Sequence, residues 1–135
     1  MIYGIGIDMI EVARFEPHLA DRSRLLVNKI FTPIEIEYCE GKSRNQAQNY
    51  AVRYAAKEAF FKALGTGWRG GLSWQDVEVR RDELGKPYLV LYGKAKEIIE
   101  AKRITSVHVS LSHLKALAVA IVILEKGQMD ESDGR

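Results

Sequence analysis

The chain contains almost no cysteine. Cys39 is the single thiol among 135 residues, so no intramolecular disulfide can form. The three histidines, His18, His108 and His113, are widely spaced, and Cys39 has no cysteine partner with the spacing of a zinc site. A structural zinc site is therefore disfavoured, and a chain without disulfides is expected in a reducing compartment.

Long apolar runs and a large charge of one sign are also absent. The apolar stretch 116–124 is too short to cross a bilayer. The N-terminus has no basic region before an apolar segment and carries Asp8, which argues against a signal peptide. A net charge of +2 is too small to indicate bulk nucleic-acid binding. We therefore expect a cytoplasmic protein without nucleic-acid or membrane partners.

The pattern of apolar residues predicts an α+β fold. A small, mainly antiparallel sheet packs on a long central helix, with short helices near the N-terminus. Predicted helices are 11–19, 23–31, 34–39, 45–64 and 94–102, and predicted strands are 1–8, 76–81, 88–92, 106–111 and 116–124. The last strand is apolar on both faces and should be central in its sheet. We expect one domain over residues 1–125 and a flexible polar tail over 126–135. A single domain of this size is small for a self-contained active-site cleft.

The first strand has two different faces. Alternation places Tyr3, Ile5 and Ile7 on one face, and Gly4, Gly6 and Asp8 on the other. Two glycines on one face indicate close approach by another backbone or by a ligand. Asp8 ends the predicted strand beside this bare surface, and it would equally serve as the N-cap of a helix that starts near Met9.

The central helix carries a polar pair next to its apolar face and should stop at Gly65. The apolar positions follow the helical period and are Val52, Ala56, Ala59, Phe60 and Ala63. Glu58 and Lys62 are i and i+4 neighbours, which is typical of an ordinary surface ion pair. Asp8 and Glu58 would also be a sufficient protein contribution for Mg²⁺, which fills its other positions with phosphate oxygens and water.

Other polar motifs allow two interpretations each. His108, Ser110 and Ser112 share one strand face, either as a solvated surface or as donors facing a nucleotide phosphate. Residues 65–70 spell G-x-G-x-x-G, but they follow a helix, so a dinucleotide-binding fold is excluded. A Ser/His hydrolase is also disfavoured, because no acidic residue is spaced to orient the histidine and no G-x-S-x-G turn is present.

Arginines are concentrated near the N-terminus. Arg14, Arg22 and Arg24 either solvate the two short helices or form a cationic surface that attracts an acidic protein. Arg44 and Arg53 are either ordinary surface charges or forks that bind phosphate.

Several separated motifs occur in the order seen in bacterial holo-[acyl-carrier-protein] synthases, the small class of 4′-phosphopantetheinyl transferases. The chain resembles this family from residue 1 to about residue 125. The motifs are GIGID at residues 4–8, FTPIEIEYC at 31–39, the run 53–67, Gly85-Lys86-Pro87, and HVSLSH at 108–113.

The resemblance implies an activity and an assembly. Members transfer 4′-phosphopantetheine from coenzyme A to a serine of apo acyl carrier protein, release adenosine 3′,5′-bisphosphate and support fatty acid biosynthesis. The family is trimeric, with coenzyme A bound in clefts between subunits. The helix that carries Glu58 and the strand that carries His108 would then serve one site from different chains.

The resemblance also implies residue roles. The catalytic residues are Asp8, Glu58 and Lys62, with Asp8 and Glu58 holding Mg²⁺. The coenzyme A contacts are Arg44, Arg53, Lys62, Gly65, Lys86, Pro87, His108, Ser110 and Ser112. The carrier-protein contacts are Arg14, Arg22 and Arg24. The general base stays open among Glu58 acting through a water, Glu35 and Lys62.

Two alternative functions remain. One is a different Mg²⁺-dependent phosphoryl-transfer or hydrolytic enzyme, and the other is a non-catalytic binding module.

Overall fold

The computed structural model describes residues 1–41, 44–67 and 70–127. Within these ranges the chain forms five strands and five α-helices. They are β1 (Ile2–Glu11), α1 (Glu16–Ala20), α2 (Leu25–Ile30), α3 (Pro33–Glu40), α4 (Gln46–Leu64), β2 (Val77–Arg81), β3 (Pro87–Leu91), α5 (Gly93–Ala101), β4 (Ile104–His113) and β5 (Leu117–Lys126), with short 3₁₀ helices at Val12–Phe15 and Trp74–Asp76. Trp68 and Arg69 of the glycine-rich segment, and residues 128–135 of the predicted tail, lie outside the described residues.

The strands form two antiparallel sheets, which confirms the predicted α+β class. The three-stranded sheet has the order β1-β5-β4, so the strand that is apolar on both faces is central, as predicted. β2 and β3 form a separate hairpin around the turn 82–86. The two predicted N-terminal helices are shorter than expected, because the first begins as a 3₁₀ helix and the second starts only at Leu25.

The first strand is longer than the sequence pattern predicted. Asp8 pairs with Ala120, and the pairing with β5 continues to Glu11 opposite Leu117. The predictions that Asp8 ends the strand, or caps a helix near Met9, are therefore wrong. The physical reason is the length of β5, which offers backbone partners to three further residues of β1.

Helix α4 packs directly on the glycine face of β1. A Cβ atom on Gly6 would lie 1.9 Å from the carbonyl oxygen of Ala59, and one on Gly4 would lie 2.0 Å from that of Ala63. The predicted close approach is therefore made by another backbone, that of the central helix. Because a step of two residues along β1 corresponds to one turn of α4, Asp8 lies beside the next turn toward the helix N-terminus.

The central helix is buried on more faces than its apolar stripe predicted. All five predicted apolar positions are buried, but Arg53 and Lys57 are also only 1% and 0% exposed. The interpretation of Arg53 as an ordinary surface charge is therefore wrong. The helix lies between the sheet on one side and α3 with the β2–β3 hairpin on the other, so its charged positions are enclosed as well.

Lys57 is the centre of a buried polar network. Its Nζ donates to Glu35 Oε1 at 2.8 Å and to the backbone carbonyl oxygens of Trp74 and Val77. Glu35 also accepts from the backbone N–H groups of Thr32 and Val79, at 3.0 and 2.8 Å. Burial lowers the pKa of Lys57, and the charge of Glu35 opposes that effect.

This network removes one candidate for the general base. Glu35 is fully buried, and Thr32 and Glu35 form a reciprocal capping box at the start of α3. A carboxylate held by an ammonium and two backbone amides inside the core cannot reach a substrate. The proposal of Glu35 as general base is therefore wrong.

Candidate active site

Lys62 bridges the central helix to β1. Its Nζ donates to Asp8 Oδ1 at 2.9 Å and to the Ile7 carbonyl oxygen at 3.0 Å. The i, i+4 ion pair with Glu58 that the sequence suggested is not formed. Lys62 instead contacts Asp8 and Ile7, because this face of α4 packs against β1. The Lys62 side chain remains 53% exposed, whereas that of Asp8 is 16% exposed.

Glu58 is held by a different neighbour on the same helix. Tyr54 Oη donates a hydrogen bond to Glu58 Oε1 at 2.9 Å. Burial, the hydrogen bond to Glu58 and the negative charges of Glu58 and Asp8 raise the pKa of Tyr54 well above its usual range. Glu58 and Lys62 lie one turn apart on the same face of α4, and Lys62 contacts Asp8, so both carboxylates lie on the side of the helix that faces β1. We call Asp8, Tyr54, Glu58 and Lys62 the acid site.

The donor chemistry of the acid site fits magnesium. Two carboxylates with no third protein ligand suit an ion that takes its other oxygens from phosphate and water. Within residues 1–41, 44–67 and 70–127, no group of three or more His, Cys, Asp or Glu side chains could enclose a metal ion. A divalent ion held by these two carboxylates would therefore need its remaining oxygen ligands from a substrate or from water.

A cavity of about 300 Å³ adjoins Tyr54. Its floor is apolar and its rim is basic. The lining includes Ile10, Phe15, Trp74, Arg14, His18 and Lys29. Such a cavity can seat an apolar side chain while the rim meets acidic residues around it. We call it the Arg14 cavity.

The three arginines predicted to bind the carrier protein have different surroundings. Arg14 lies exposed at the Arg14 cavity, and Arg22 is exposed in the turn between α1 and α2. Arg24 donates to Glu40 Oε2 at 2.8 Å and to Tyr50 Oη at 3.3 Å. Arg24 therefore ties the α1–α2 connection to its own chain, and Arg14 and Arg22 are better placed to meet a partner.

A second cavity of about 370 Å³ contains the buried Arg53. The Arg53 guanidinium lies 4.2 Å from the centre of the Tyr38 ring, and Nη1 donates to the Asn49 carbonyl oxygen at 3.1 Å. The Nε atoms of Arg53 and Arg81, both lining the cavity, are buried without a hydrogen-bond partner in the described part of the chain. Two guanidinium groups that line one cavity suit an anion. We call it the Arg53 cavity.

Of the other predicted coenzyme A contacts, Lys86 and Pro87 lie next to the Arg53 cavity, whereas Arg44 and Gly65 do not line it. Gly85 lines the cavity, Lys86 follows it in the hairpin turn, and Pro87 is the first residue of β3. Arg44 is exposed just before α4. Gly65 ends α4 with φ = +82° and would meet no atom within 4 Å at a Cβ position, so its backbone is open to a ligand.

His108, Ser110 and Ser112 lie far from the acid site within one chain. Strand pairing puts them in the same rows as Ile5, Ile7 and Met9, on the sheet face away from α4. Asp8 points to the opposite face, and β1 and β4 are the two edges of the sheet. His108 Nε2 lies 2.5 Å from Glu125 Oε1 on the neighbouring strand. One chain therefore does not bring the acid site and the His108 row together.

Comparison with known proteins identifies the family. A family model described as the 4′-phosphopantetheinyl transferase superfamily matches residues 4–122. The chain belongs to this superfamily. The holo-[acyl-carrier-protein] synthase of Geobacter sp. (strain M21) is 52% identical over 126 residues, which are 93% of this chain and 100% of that protein. The family and enzyme class predicted from the sequence are thereby confirmed.

Solved structures of phosphopantetheinyl transferases share the fold. The holo-[acyl-carrier-protein] synthase of Neisseria meningitidis is 35% identical with a TM-score of 0.82, covering 93% of this chain and 100% of that one. The synthase of Bacillus anthracis, solved in complex with CoA (3′,5′-ADP), is 40% identical with a TM-score of 0.78, covering 94% and 99%.

Sequence reasoning missed one residue of this transferase's acid site. Tyr54 stands one turn before Glu58, so its i, i+4 spacing could have indicated the contact. Tyr54 was not predicted as a site residue because an aromatic residue in a helix with many buried apolar neighbours is usually assigned to the core.

No helix in the described residues of the transferase is long and apolar enough to span a membrane.

Proposed function

We propose that the chain transfers 4′-phosphopantetheine from coenzyme A to a serine of an apo acyl carrier protein, in support of fatty acid biosynthesis. Adenosine 3′,5′-bisphosphate is the second product. The observation that carries the proposal is the contact of Lys62 with Asp8 at 2.9 Å, one helical turn from Glu58 on the same face of α4. Two carboxylates and one cation at a single place are the groups that a pyrophosphate displacement requires.

Asp8, Glu58 and Lys62 then have distinct tasks in the acid site. The Asp8 and Glu58 carboxylates hold Mg²⁺, which supplies charge neutralisation at the pyrophosphate when it is bound. Lys62, which is exposed and reaches Asp8 from the helix, binds the same phosphate oxygens. With Glu35 excluded by burial, the candidates for taking the serine proton are Glu58 through a water and Lys62 in its uncharged amine form.

The adenosine end of coenzyme A is assigned to the Arg53 cavity. The positively charged Arg53 and Arg81 side chains that line it support binding of a phosphate group. Lys86 and Pro87 follow the cavity wall, and Arg44 precedes the same helix as Arg53. This assignment predicts that Arg53→Met raises KM for coenzyme A and leaves KM for the carrier unchanged; equal changes in both would contradict it.

We assign the uncovered sheet face to trimer formation. Ile5, Ile7 and Met9 are 55%, 56% and 62% exposed there, and Ile121 and Ile123 of β5 lie beside them. A contiguous apolar surface of this kind marks an interface. A neighbouring copy seated on it would carry its His108, Ser110 and Ser112 row toward the acid site of this chain.

The trimer is tested by a charge in this apolar surface. Ile7→Lys is expected to convert a trimer into monomers in sedimentation velocity experiments, because each copy would bury an unpaired ammonium. Transfer activity should fall with the loss of the trimer. Leu84→Lys is the matched control, because Leu84 is 95% exposed at the hairpin turn. A wild-type protein that sediments as a monomer would contradict the assignment.

Carrier docking is assigned to Arg14 and Arg22 around the Arg14 cavity. Arg14→Glu is expected to raise KM for the carrier about tenfold at low salt and to weaken its salt dependence, with kcat nearly unchanged. Lys96→Glu on α5 makes the same change in net charge outside both cavities and should have little effect. Unchanged turnover of Arg14→Glu at low carrier concentration would refute this role.

The function itself is tested by mass spectrometry of an apo carrier protein. Incubation with coenzyme A and Mg²⁺ should add one phosphopantetheine group, and a chelator should prevent the addition. Release of phosphate or cleavage of coenzyme A without a carrier would favour a different phosphoryl-transfer or hydrolytic enzyme. Binding without any product would favour a non-catalytic module. The cytoplasmic location that these substrates imply is tested by cell fractionation.

A further inference from the structure

The ring of Tyr54 is fixed by aromatic neighbours on two sides. It stacks on Trp74 with ring centres 5.2 Å apart and planes at 27°, and it meets the Phe15 ring at 5.4 Å and 62°. Trp74 is itself anchored, because its carbonyl oxygen accepts from the buried Lys57 ammonium at 3.0 Å. The phenol is therefore held in one orientation before any substrate binds.

The Tyr54 hydroxyl is directed at one atom of Glu58. It donates to Oε1 at 2.9 Å, one helical turn away. Since a carboxylate has two oxygens, this bond restricts the rotation of the group and leaves Oε2 available to another ligand. Groups that orient a metal ligand from behind contribute to metal affinity although they do not touch the ion.

We propose that Tyr54 is a positioning residue for Glu58, which sets the carboxylate in the orientation that binds the divalent ion. The inference rests on the proposed function, in which Glu58 is a metal ligand. The Tyr54 ring also lines the Arg14 cavity, so the residue that orients Glu58 is part of the surface assigned to the carrier protein. An ordinary core aromatic would need only the ring, whereas this role needs the hydroxyl.

Tyr54→Phe tests the role of the hydroxyl, because it keeps the stacked ring. Binding of Mn²⁺ is followed by electron paramagnetic resonance in the presence of saturating coenzyme A, at 10 °C. The affinity for Mn²⁺ is expected to fall about tenfold, as for other groups that orient a metal ligand. In turnover experiments KM for Mg²⁺ should rise, whereas KM for coenzyme A should stay within about twofold of the wild-type value.

Tyr50→Phe is the matched control. Tyr50 lies one turn earlier on α4, and its hydroxyl donates to a different carboxylate, Glu40 Oε2, at 2.6 Å. This variant loses the same kind of bond but should bind Mn²⁺ like the wild type. Thermal melts of both variants establish that each is folded at the temperature of the binding measurement.

The outcomes separate this inference from the proposed function. Loss of Mn²⁺ binding in Glu58→Gln, together with wild-type affinity in Tyr54→Phe, would overturn the positioning role and leave the proposed function intact. Wild-type Mn²⁺ binding in Glu58→Gln would instead overturn the metal site of the proposed function. An equal loss of Mn²⁺ affinity in Tyr54→Phe and Tyr50→Phe would show that both substitutions act through helix stability. That result would also overturn the positioning role.

Discussion

Glu58→Gln is expected to lower kcat/KM for phosphopantetheine transfer by at least about 100-fold. The substitution keeps the size of the side chain and its ability to accept from Tyr54 Oη, but it removes the negative charge that the divalent ion requires. A metal ion contributes several kcal/mol to stabilising phosphoryl charge, and each 1.36 kcal/mol changes a rate by about tenfold. Initial rates of carrier modification at saturating Mg²⁺ measure the effect.

Asp8→Asn should cause a loss of similar size, because the two carboxylates act as one unit. The double variant is then expected to be little worse than either single variant, since groups that act together are strongly non-additive. Glu37→Gln is the matched control, because Glu37 is an exposed acid on α3 that lines neither the Arg14 cavity nor the Arg53 cavity. Rates within about threefold of the wild type for Glu58→Gln would contradict the assigned role of the acid.

The sequence predicted the framework of the fold because its signals are local. Alternation in β1, the helical period of α4 and the apolar β5 each depend on neighbouring residues, and Gly4 with Gly6 also predicted the close packing of another backbone. The length of β1 could not be predicted in this way. It depends on β5, which lies more than 100 residues later in the chain.

The candidate site was predicted only in part for the same reason. Asp8, Glu58 and Lys62 were found from motif and spacing, but the partner of Lys62 was wrong, since a helix does not reveal which strand it faces. Glu35, in the motif 31–39, was one of three candidates left open for the general base. Its burial follows from the way α3 and the hairpin enclose one side of α4, which no local pattern encodes.

Lys57→Met is expected to destabilise the fold by about 3–5 kcal/mol. Methionine fills a similar volume, but it leaves the buried Glu35 carboxylate without its counter-charge and removes the donor to two backbone carbonyls. Breaking one partner of a buried ion pair costs about this much. For a chain of this size, thermal unfolding should occur roughly 10–20 °C lower, which circular dichroism measures at a fixed protein concentration.

Lys62→Met provides the comparison on the same helix. It makes the same substitution at a residue whose side chain is 53% exposed, where an ion pair contributes at most about 1 kcal/mol. Adding Glu35→Gln to Lys57→Met should recover part of the lost stability, because the amide carries no charge and its oxygen still accepts from a backbone N–H. Equal melting temperatures for Lys57→Met and Lys62→Met would mean that the Lys57–Glu35 pair does not hold α3 and the β2–β3 hairpin on α4.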